Sequence, residues 1–192
     1  MKNLFNGMAF SAMAVCMAMC MVSCGDDNDD DDVRPPYGEA VSADLTVVGY
    51  FNDEMVRYLD ITGTYMDKGV LKTAYIGEES EAVDINGRII QMYPLVARIS
   101  DAALPVELGM QISYTPRNNE LRPERKVSFI IAEKKLATVY FKNGETYDRT
   151  SRCEITEYNN VTSSNFDSYV NKLNRDDDDI DFSVERDGSI DF

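Results

Sequence analysis

Apolar and polar residues alternate along most of the chain from residue 41 onward, with the period of two that is typical of half-buried β-strands. The clearest example follows Leu104-Pro105, where one face carries five apolar residues: Val106, Leu108, Met110, Ile112 and Tyr114. Similar stretches predict strands over residues 44–51, 58–65, 70–76, 88–93, 127–132, 136–141 and 153–158. The last alternation, at residues 180–184 and 190–192, flanks Asp187-Gly188 and predicts a C-terminal hairpin.

Turn signals separate these strands, and one helix interrupts them. Asp67-Lys68-Gly69 predicts a hairpin, and Glu133-Lys134-Lys135 predicts a tight turn. Asn52-Asp53-Glu54 ends the first strand, and residues 77–84 are expected to form an acidic loop. The helix is predicted with Ser163 or Ser164 as its N-cap, because four apolar residues follow at helical spacing: Phe166, Tyr169, Val170 and Leu173.

Many short strands without regular strand–helix alternation predict an all-β fold. We expect an antiparallel, immunoglobulin-like β-sandwich with one short helix near the C-terminus, and a small β-barrel is the alternative. The sandwich domain is expected over residues 41–174. Residues 175–192 are expected to form an acidic C-terminal segment that can make a hairpin.

An apolar leader precedes the domain and ends in Ser23-Cys24. Lys2 lies near its start and residues 4–21 are uncharged, which is typical of a secretory signal peptide. A small residue before a cysteine marks a lipoprotein cleavage site, so we predict a signal peptide over residues 1–23 and lipidation of the Cys24 thiol. Two or three acyl chains give a stable anchor, because each buried methylene contributes about 0.8 kcal/mol. The position of Cys24 disfavours the competing interpretation, a transmembrane helix.

An acidic run follows this cysteine and consists of Asp26, Asp27, Asp29, Asp30, Asp31 and Asp32. Such a like-charged run does not fold, and together with Arg34-Pro35-Pro36 it predicts a tether over residues 24–40. Cys24 and the run resemble the export signal of Bacteroides-type surface lipoproteins, and residues 41–45, 58–67 and 103–110 resemble the body of the small members. The resemblance implies a lipid-anchored outer-membrane protein that faces the cell exterior, from a group with no established activity.

Composition narrows the chemistry of the domain. The net charge is −15, its excess lies in the two tails, and no basic stripe is present, so nucleic acid is a poor partner. The chain has no histidine, which removes Ser-His-Asp and Cys-His catalysis and ordinary zinc sites. Cys153 lies in an apparent strand, where a buried and inert thiol is expected. We predict a protein without catalytic activity, cofactor or metal.

Two acidic groups are the candidates for metal binding or catalysis. Residues 176–179 with Asp181 offer the oxygen ligands that Ca²⁺ prefers, but consecutive carboxylates point in different directions, so no site is expected. Glu78, Glu79, Glu81 and Asp84 offer paired carboxylates for glycoside hydrolysis, and a solvated loop is the preferred interpretation.

Tyrosines offer a different kind of surface, because an exposed tyrosine is flat, amphipathic and low in rotamer entropy. The chain has 11 tyrosines and no tryptophan. We therefore expect a cell-surface module that binds a glycan or an envelope protein and contacts the membrane through its lipid anchor. The alternatives are a pilus or assembly subunit that acts by strand addition and a carboxylate-dependent polysaccharide-active enzyme.

Overall fold

Two antiparallel sheets pack face to face in the computed structural model, which describes residues 38–85, 87–118, 120–175 and 179–192. The elements in chain order are β1 (Ala40–Asn52), α1 (Asp53–Tyr58), β2 (Leu59–Asp67), β3 (Val70–Tyr75), β4 (Glu81–Ile85), β5 (Arg88–Ala103), β6 (Val106–Pro116), β7 (Val127–Phe141), β8 (Thr146–Thr150), β9 (Glu154–Val161), α2 (Phe166–Leu173), β10 (Asp179–Val184) and β11 (Ile190–Asp191). The first sheet has the order β4-β5-β1-β7-β8, with β9 also paired to β7. The second has the order β11-β10-β6-β2-β3.

The predicted all-β sandwich with a short helix near the C-terminus is confirmed, and neither sheet closes into a barrel within the described residues. β1 lies at the centre of the first sheet, because it is paired with β5 on one side and with β7 on the other. Leu45 of β1 is opposite Ile99 of β5 and Ala137 of β7, and all three side chains are buried. The alternation read from the sequence therefore places one face of β1 in the core.

The main core fills the space between the sheets, and aromatic rings fix the C-terminal helix to it. Phe166 of α2 is fully buried and makes edge-to-face contacts with Phe129, at a centroid distance of 6.3 Å, and with Tyr58, at 6.2 Å. A second apolar cluster lies on the face of the first sheet that points away from the second sheet. It contains Val48, Tyr50, Val83, Ile85, Met92, Ile130 and Ala132.

A short helix, α1, follows β1 where the sequence indicated only a break. Asn52 is 8% exposed, and its side-chain oxygen accepts the backbone N–H of Met55, which caps the helix. The same oxygen accepts the N–H of Ile130 in β7, and the side-chain amide donates to the carbonyl of Ser128 at 2.8 Å. Asn52, the last residue of β1, thus starts the helix, and its side chain extends the contacts with β7 beyond the last backbone pair of the two strands, Phe51 with Ile131.

Several local predictions were wrong. Residues 133–135 do not form a turn, because each is paired with β1 and β7 runs unbroken from Val127 to Phe141. The expected loop at 77–84 contains the start of β4, where Val83 is buried opposite Ile90. Neither Ser163 nor Ser164 caps α2, whose N-cap position is Asn165, without a side-chain cap hydrogen bond.

The C-terminal strands belong to the second sheet. β10 pairs with β6 along its whole length, and β11 pairs with β10 in a hairpin. Four of their apolar side chains are buried in the main core: Ile180, Phe182, Val184 and Ile190. Acidic residues of this segment, such as Asp181, therefore alternate with apolar residues that are buried in the main core.

Candidate functional site

The residues predicted for lipidation and export lie outside the described part of the chain. They are Cys24 and Asp26, Asp27, Asp29, Asp30, Asp31 and Asp32. Among the described residues, no helix has the length and apolar character needed to span a membrane.

Most of the tyrosines pack into the fold. Tyr50, Tyr58 and Tyr114 are buried, and the other described tyrosines are half-buried except Tyr75 of β3, which is 72% exposed. The structure therefore brings no cluster of exposed tyrosines together in its described part.

The candidate carboxylates lie in two parts of the fold. Glu78 and Glu79 are exposed before β4, and Asp84 accepts the backbone N–H of Gly87 at 2.8 Å, which stabilises the β4–β5 turn. Residues 176–178 lie outside the described chain, whereas Asp181 lines an open cleft of about 550 Å³ on β6, β10 and β11. The other acidic residues of this cleft are Glu107, Glu185 and Asp191. In the described residues, no group of three or more acidic or cysteine side chains is arranged to hold a metal ion.

Cys153 lies just before β9 and packs, half-buried, against the outer apolar cluster of the first sheet. Its surroundings are aliphatic, with Ile155 and Leu136 packed against the same cluster. The sequence predicts a buried thiol within a strand, whereas the structure shows Cys153 half-buried and just before β9.

An open sheet edge is the feature that stands out. β3 is the last strand of the second sheet, and no described strand pairs with its outer side along Val70–Tyr75. It follows β2 through a two-residue turn in which Lys68 and Gly69 have φ angles of 49° and 80°, the geometry that suits the twist of a hairpin. This turn determines which residues of β3 direct their backbone N–H and C=O groups toward β2 and which direct them outward.

In a two-residue hairpin the residues that flank the turn form a hydrogen-bonded pair, and such pairs alternate along the strands. Asp67 is opposite Val70, so Val70, Lys72 and Ala74 direct their backbone groups toward β2. The N–H and C=O groups of Leu71, Thr73 and Tyr75 must then point outward. They form a row of donors and acceptors that can pair with an added strand.

The side chains of these three residues lie together on the outer face of the second sheet. Leu71 is 67% exposed, Tyr75 is 72% exposed, and Thr73 lies exposed between them. Successive side chains alternate between faces, so Lys72 and Ala74 point the other way. The edge thus combines unpaired backbone with apolar and β-branched side chains, which suit a strand.

The one charge of β3 is already paired. The Lys72 ammonium donates a hydrogen bond to the Asp67 carboxylate, and this bond and the negative charge of Asp67 raise the pKa of Lys72. Lys72 therefore stays protonated at neutral pH, with a carboxylate beside it in its own hairpin.

The other sheet edges carry the features that discourage pairing. β11 has only two residues, and β8 carries Asp148 and Arg149. β4 carries Glu81 and Asp84, and β9 carries two glutamates and a positive-φ residue, Asn160. Short strands, charges and twisted backbone all hinder strand addition. β3 is therefore the edge most suited to receive a partner.

Neighbouring elements hold β3 rigidly. Just after it, Ile76 forms a bridge to Leu95 of β5, and the N–H of Gly77 donates to the carbonyl of Pro94 at 2.8 Å. Ala74 is buried opposite Gly63 of β2. The strand is thus fixed on one side by β2 and at its end by the other sheet, and a partner would meet a preformed edge.

No family model, no curated protein and no solved structure matches the chain.

The alternation over residues 70–76 predicts a strand, but it does not indicate that this strand lies at an edge. A signal was present, since residues 70–75 carry apolar side chains on both faces with a single charge. A strand of that composition is expected at the centre of a sheet. The structure places it at the edge of the second sheet instead.

Proposed function

We propose that this protein is a non-catalytic, lipid-anchored cell-surface module that binds a protein of the cell envelope by accepting an extended strand at β3. The observation that supports it most is the open edge, with its outward backbone groups at Leu71, Thr73 and Tyr75. Main-chain hydrogen bonds give such a complex its affinity, and the exposed side chains give it specificity.

The N-terminal sequence supports the anchored location. Cys24 follows Ser23 at the end of the apolar leader, and the acidic run follows directly. The first strand begins at Ala40, so an extended tether between Cys24 and Ala40 spans at most roughly 58 Å. The domain would hang close to the membrane with β3 available to other envelope proteins.

Two competing functions have weaker support. A glycan-binding surface would need exposed aromatic rings, and Tyr75 stands alone as an exposed tyrosine in the described residues. A polysaccharide-active enzyme would need two converging carboxylates, one of them in an apolar environment. The open cleft near Asp181 is where that alternative would be sought. An assembly or pilus subunit would use the same edge as our proposal.

The edge is tested by placing a proline where the backbone N–H points outward. Thr73→Pro removes one donor of the open edge while β2 loses none of its hydrogen bonds, and prolines are tolerated at edge strands. Thr150→Pro is the matched control, because Thr150 is an exposed threonine at the β8 edge. By the alternation of pairs with β7, its N–H also points outward.

Cells that produce the full-length chain are treated with a membrane-permeant crosslinker, and bound proteins are recovered through a C-terminal tag. We expect wild type and Thr150→Pro to retain a discrete protein partner and Thr73→Pro to lose it. Equal recovery with Thr73→Pro would overturn the role of β3.

The anchor is tested separately by membrane fractionation and protease shaving of whole cells. We expect Cys24→Ser to leave the membrane fraction, because a hydroxyl cannot form the thioether to the lipid. Neutral residues in place of Asp26, Asp27 and Asp29–Asp32 should leave the protein lipidated but shielded from protease. If the neutral variant is shaved as readily as wild type, the run is only a spacer.

A further inference from the structure

We infer that the strand received by β3 is β3 of a second copy of this chain, paired antiparallel about a two-fold axis at Thr73. This inference rests on the proposed function, since it names the partner of the same edge. The argument comes from the register that the edge permits and from the side chains that each register brings together.

Geometry leaves few registers for a symmetric pair. Residues directly opposite each other must share a face, and residues with outward backbone groups must meet one another. The two-fold axis can therefore pass only through a residue of the strand. The central positions are Lys72, Thr73 and Ala74.

Two of these three registers are unfavourable. An axis at Lys72 places the two Lys72 side chains directly opposite each other, and like charges in that position are destabilising. An axis at Ala74 extends the pairing to Ile76 and Gly77, which already bond to β5. The axis at Thr73 avoids both, because Lys72 then faces Ala74 of the second copy.

The Thr73 register also matches side chains well. Thr73 meets Thr73 of the second copy on the outer face, and Leu71 meets Tyr75 of the second copy, twice by symmetry. Threonine pairs and aromatic–aliphatic pairs are both favourable cross-strand neighbours. The two most exposed apolar side chains of the strand, Leu71 and Tyr75, would thus cover each other.

Pairing of this kind stops at two copies. It joins the two second sheets into one continuous sheet and leaves β11 as the strand at each end. β11 has two residues, which is too short to receive a further strand. In this isologous contact the β3 edge of each copy is occupied by the other copy, which gives a closed dimer rather than a filament.

A five-residue strand pair buries little surface, so the contact is expected to be weak in dilute solution. Two copies tethered to one membrane meet at a high effective concentration, which favours a weak contact without any new interaction. The dimer should therefore be sought in intact cells with the full-length chain.

Disulfide trapping tests the register directly. In the proposed pair, the Cα atoms of the two Thr73 residues are about 5.5 Å apart, within the range that a disulfide bridges. Cells that produce full-length Thr73→Cys are oxidised and the chain is followed on a non-reducing gel. We expect several-fold more covalent dimer than with Ser113→Cys, an exposed control on the same face two strands from the edge.

A second pair of variants distinguishes the register from random collision. Leu71→Cys alone should give no more dimer than Ser113→Cys, because the two Leu71 positions would be about 13 Å apart. Leu71→Cys and Tyr75→Cys produced together, on chains with different tags, should crosslink to each other. Wild type controls for the native cysteines, including Cys153.

The outcomes separate this inference from the proposed function. If Thr73→Cys gives no more dimer than Ser113→Cys, self-pairing is overturned. The proposed function then stands as long as Thr73→Pro still loses its partner. Dimer from Leu71→Cys alone, equal to that from Thr73→Cys, would overturn the register. If Thr73→Pro retains its partner and disulfide trapping also fails, both the proposed function and the self-pairing are overturned.

Discussion

Replacement of Asn52 by alanine tests a buried polar side chain that makes three hydrogen bonds. Its side-chain oxygen accepts the N–H groups of Met55 at 3.3 Å and of Ile130 at 3.2 Å, and its amide donates to Ser128 at 2.8 Å. Alanine removes all three hydrogen bonds. No solvent reaches the Ile130 N–H easily, since Ile130 is itself buried.

The expected cost follows from these contacts. Loss of a helix N-cap costs about 1 kcal/mol, and a buried N–H left without an acceptor costs about 2 kcal/mol. The partly buried Ser128 carbonyl adds roughly 0.5 kcal/mol, since water can replace its donor in part. We therefore expect Asn52→Ala to lower the free energy of unfolding by about 3–4 kcal/mol, or the melting temperature by roughly 10 °C.

Urea and thermal unfolding of the chain from residue 24, with Cys24→Ser, measure this loss by far-UV circular dichroism. Asn171→Ala is the matched control, because Asn171 is exposed on α2, and it should change stability by less than about 0.5 kcal/mol. Asn52→Asp retains the acceptor and should lose less than Asn52→Ala. A loss below about 1 kcal/mol for Asn52→Ala would refute the role assigned to this side chain.

Two further outcomes follow from the structure. Phe166→Ala should lower the free energy of unfolding by about 3–5 kcal/mol in the same assay, because it removes a fully buried ring against Phe129; a loss under about 1.5 kcal/mol would mean that α2 is not held by this ring. The pKa of Asp187 is lowered by hydrogen bonds from the Ser189 hydroxyl and backbone N–H, so its stabilising effect is present above the ordinary pKa of 3.8 and is lost as pH falls through the lower folded value. Ser189→Ala should raise this pKa in an NMR titration, and an unchanged value would contradict the assigned cause.

The sequence predicts the strands best where one face is buried and the other is solvated. The alternation from Val106 to Tyr114 predicts a strand whose bounds agree closely with those of β6, Val106–Pro116. Lys134 and Lys135 of β7 suggested a turn because charges there are unusual for a central strand. Their half-buried side chains pair with β1 instead, since long aliphatic stems can line a sheet while their ammonium groups reach water.

Other features depend on pairing that no local pattern records. The segment at Glu81–Ile85 is acidic enough to suggest a loop, and it becomes β4 because β5 supplies a neighbour. α1 is only six residues long and depends on Asn52 and tertiary packing rather than on helix propensity. The open edge of β3 also depends on long-range pairing, because the order of the strands in the sheet decides which strand lies last.

The central place of β1 has a consequence for the way the chain reaches its fold. β1 is the first strand in the described chain, yet it pairs with β5 and with β7, whose Ala137 lies about 90 positions beyond Leu45. Such distant pairings make folding slow, on the millisecond-to-second scale. During synthesis β1 can pair on one side once β5 has emerged, but its other side stays open until β7 has been made. The first strand of the described chain thus reaches its central place in the sheet only after residues up to about 141 have joined the chain.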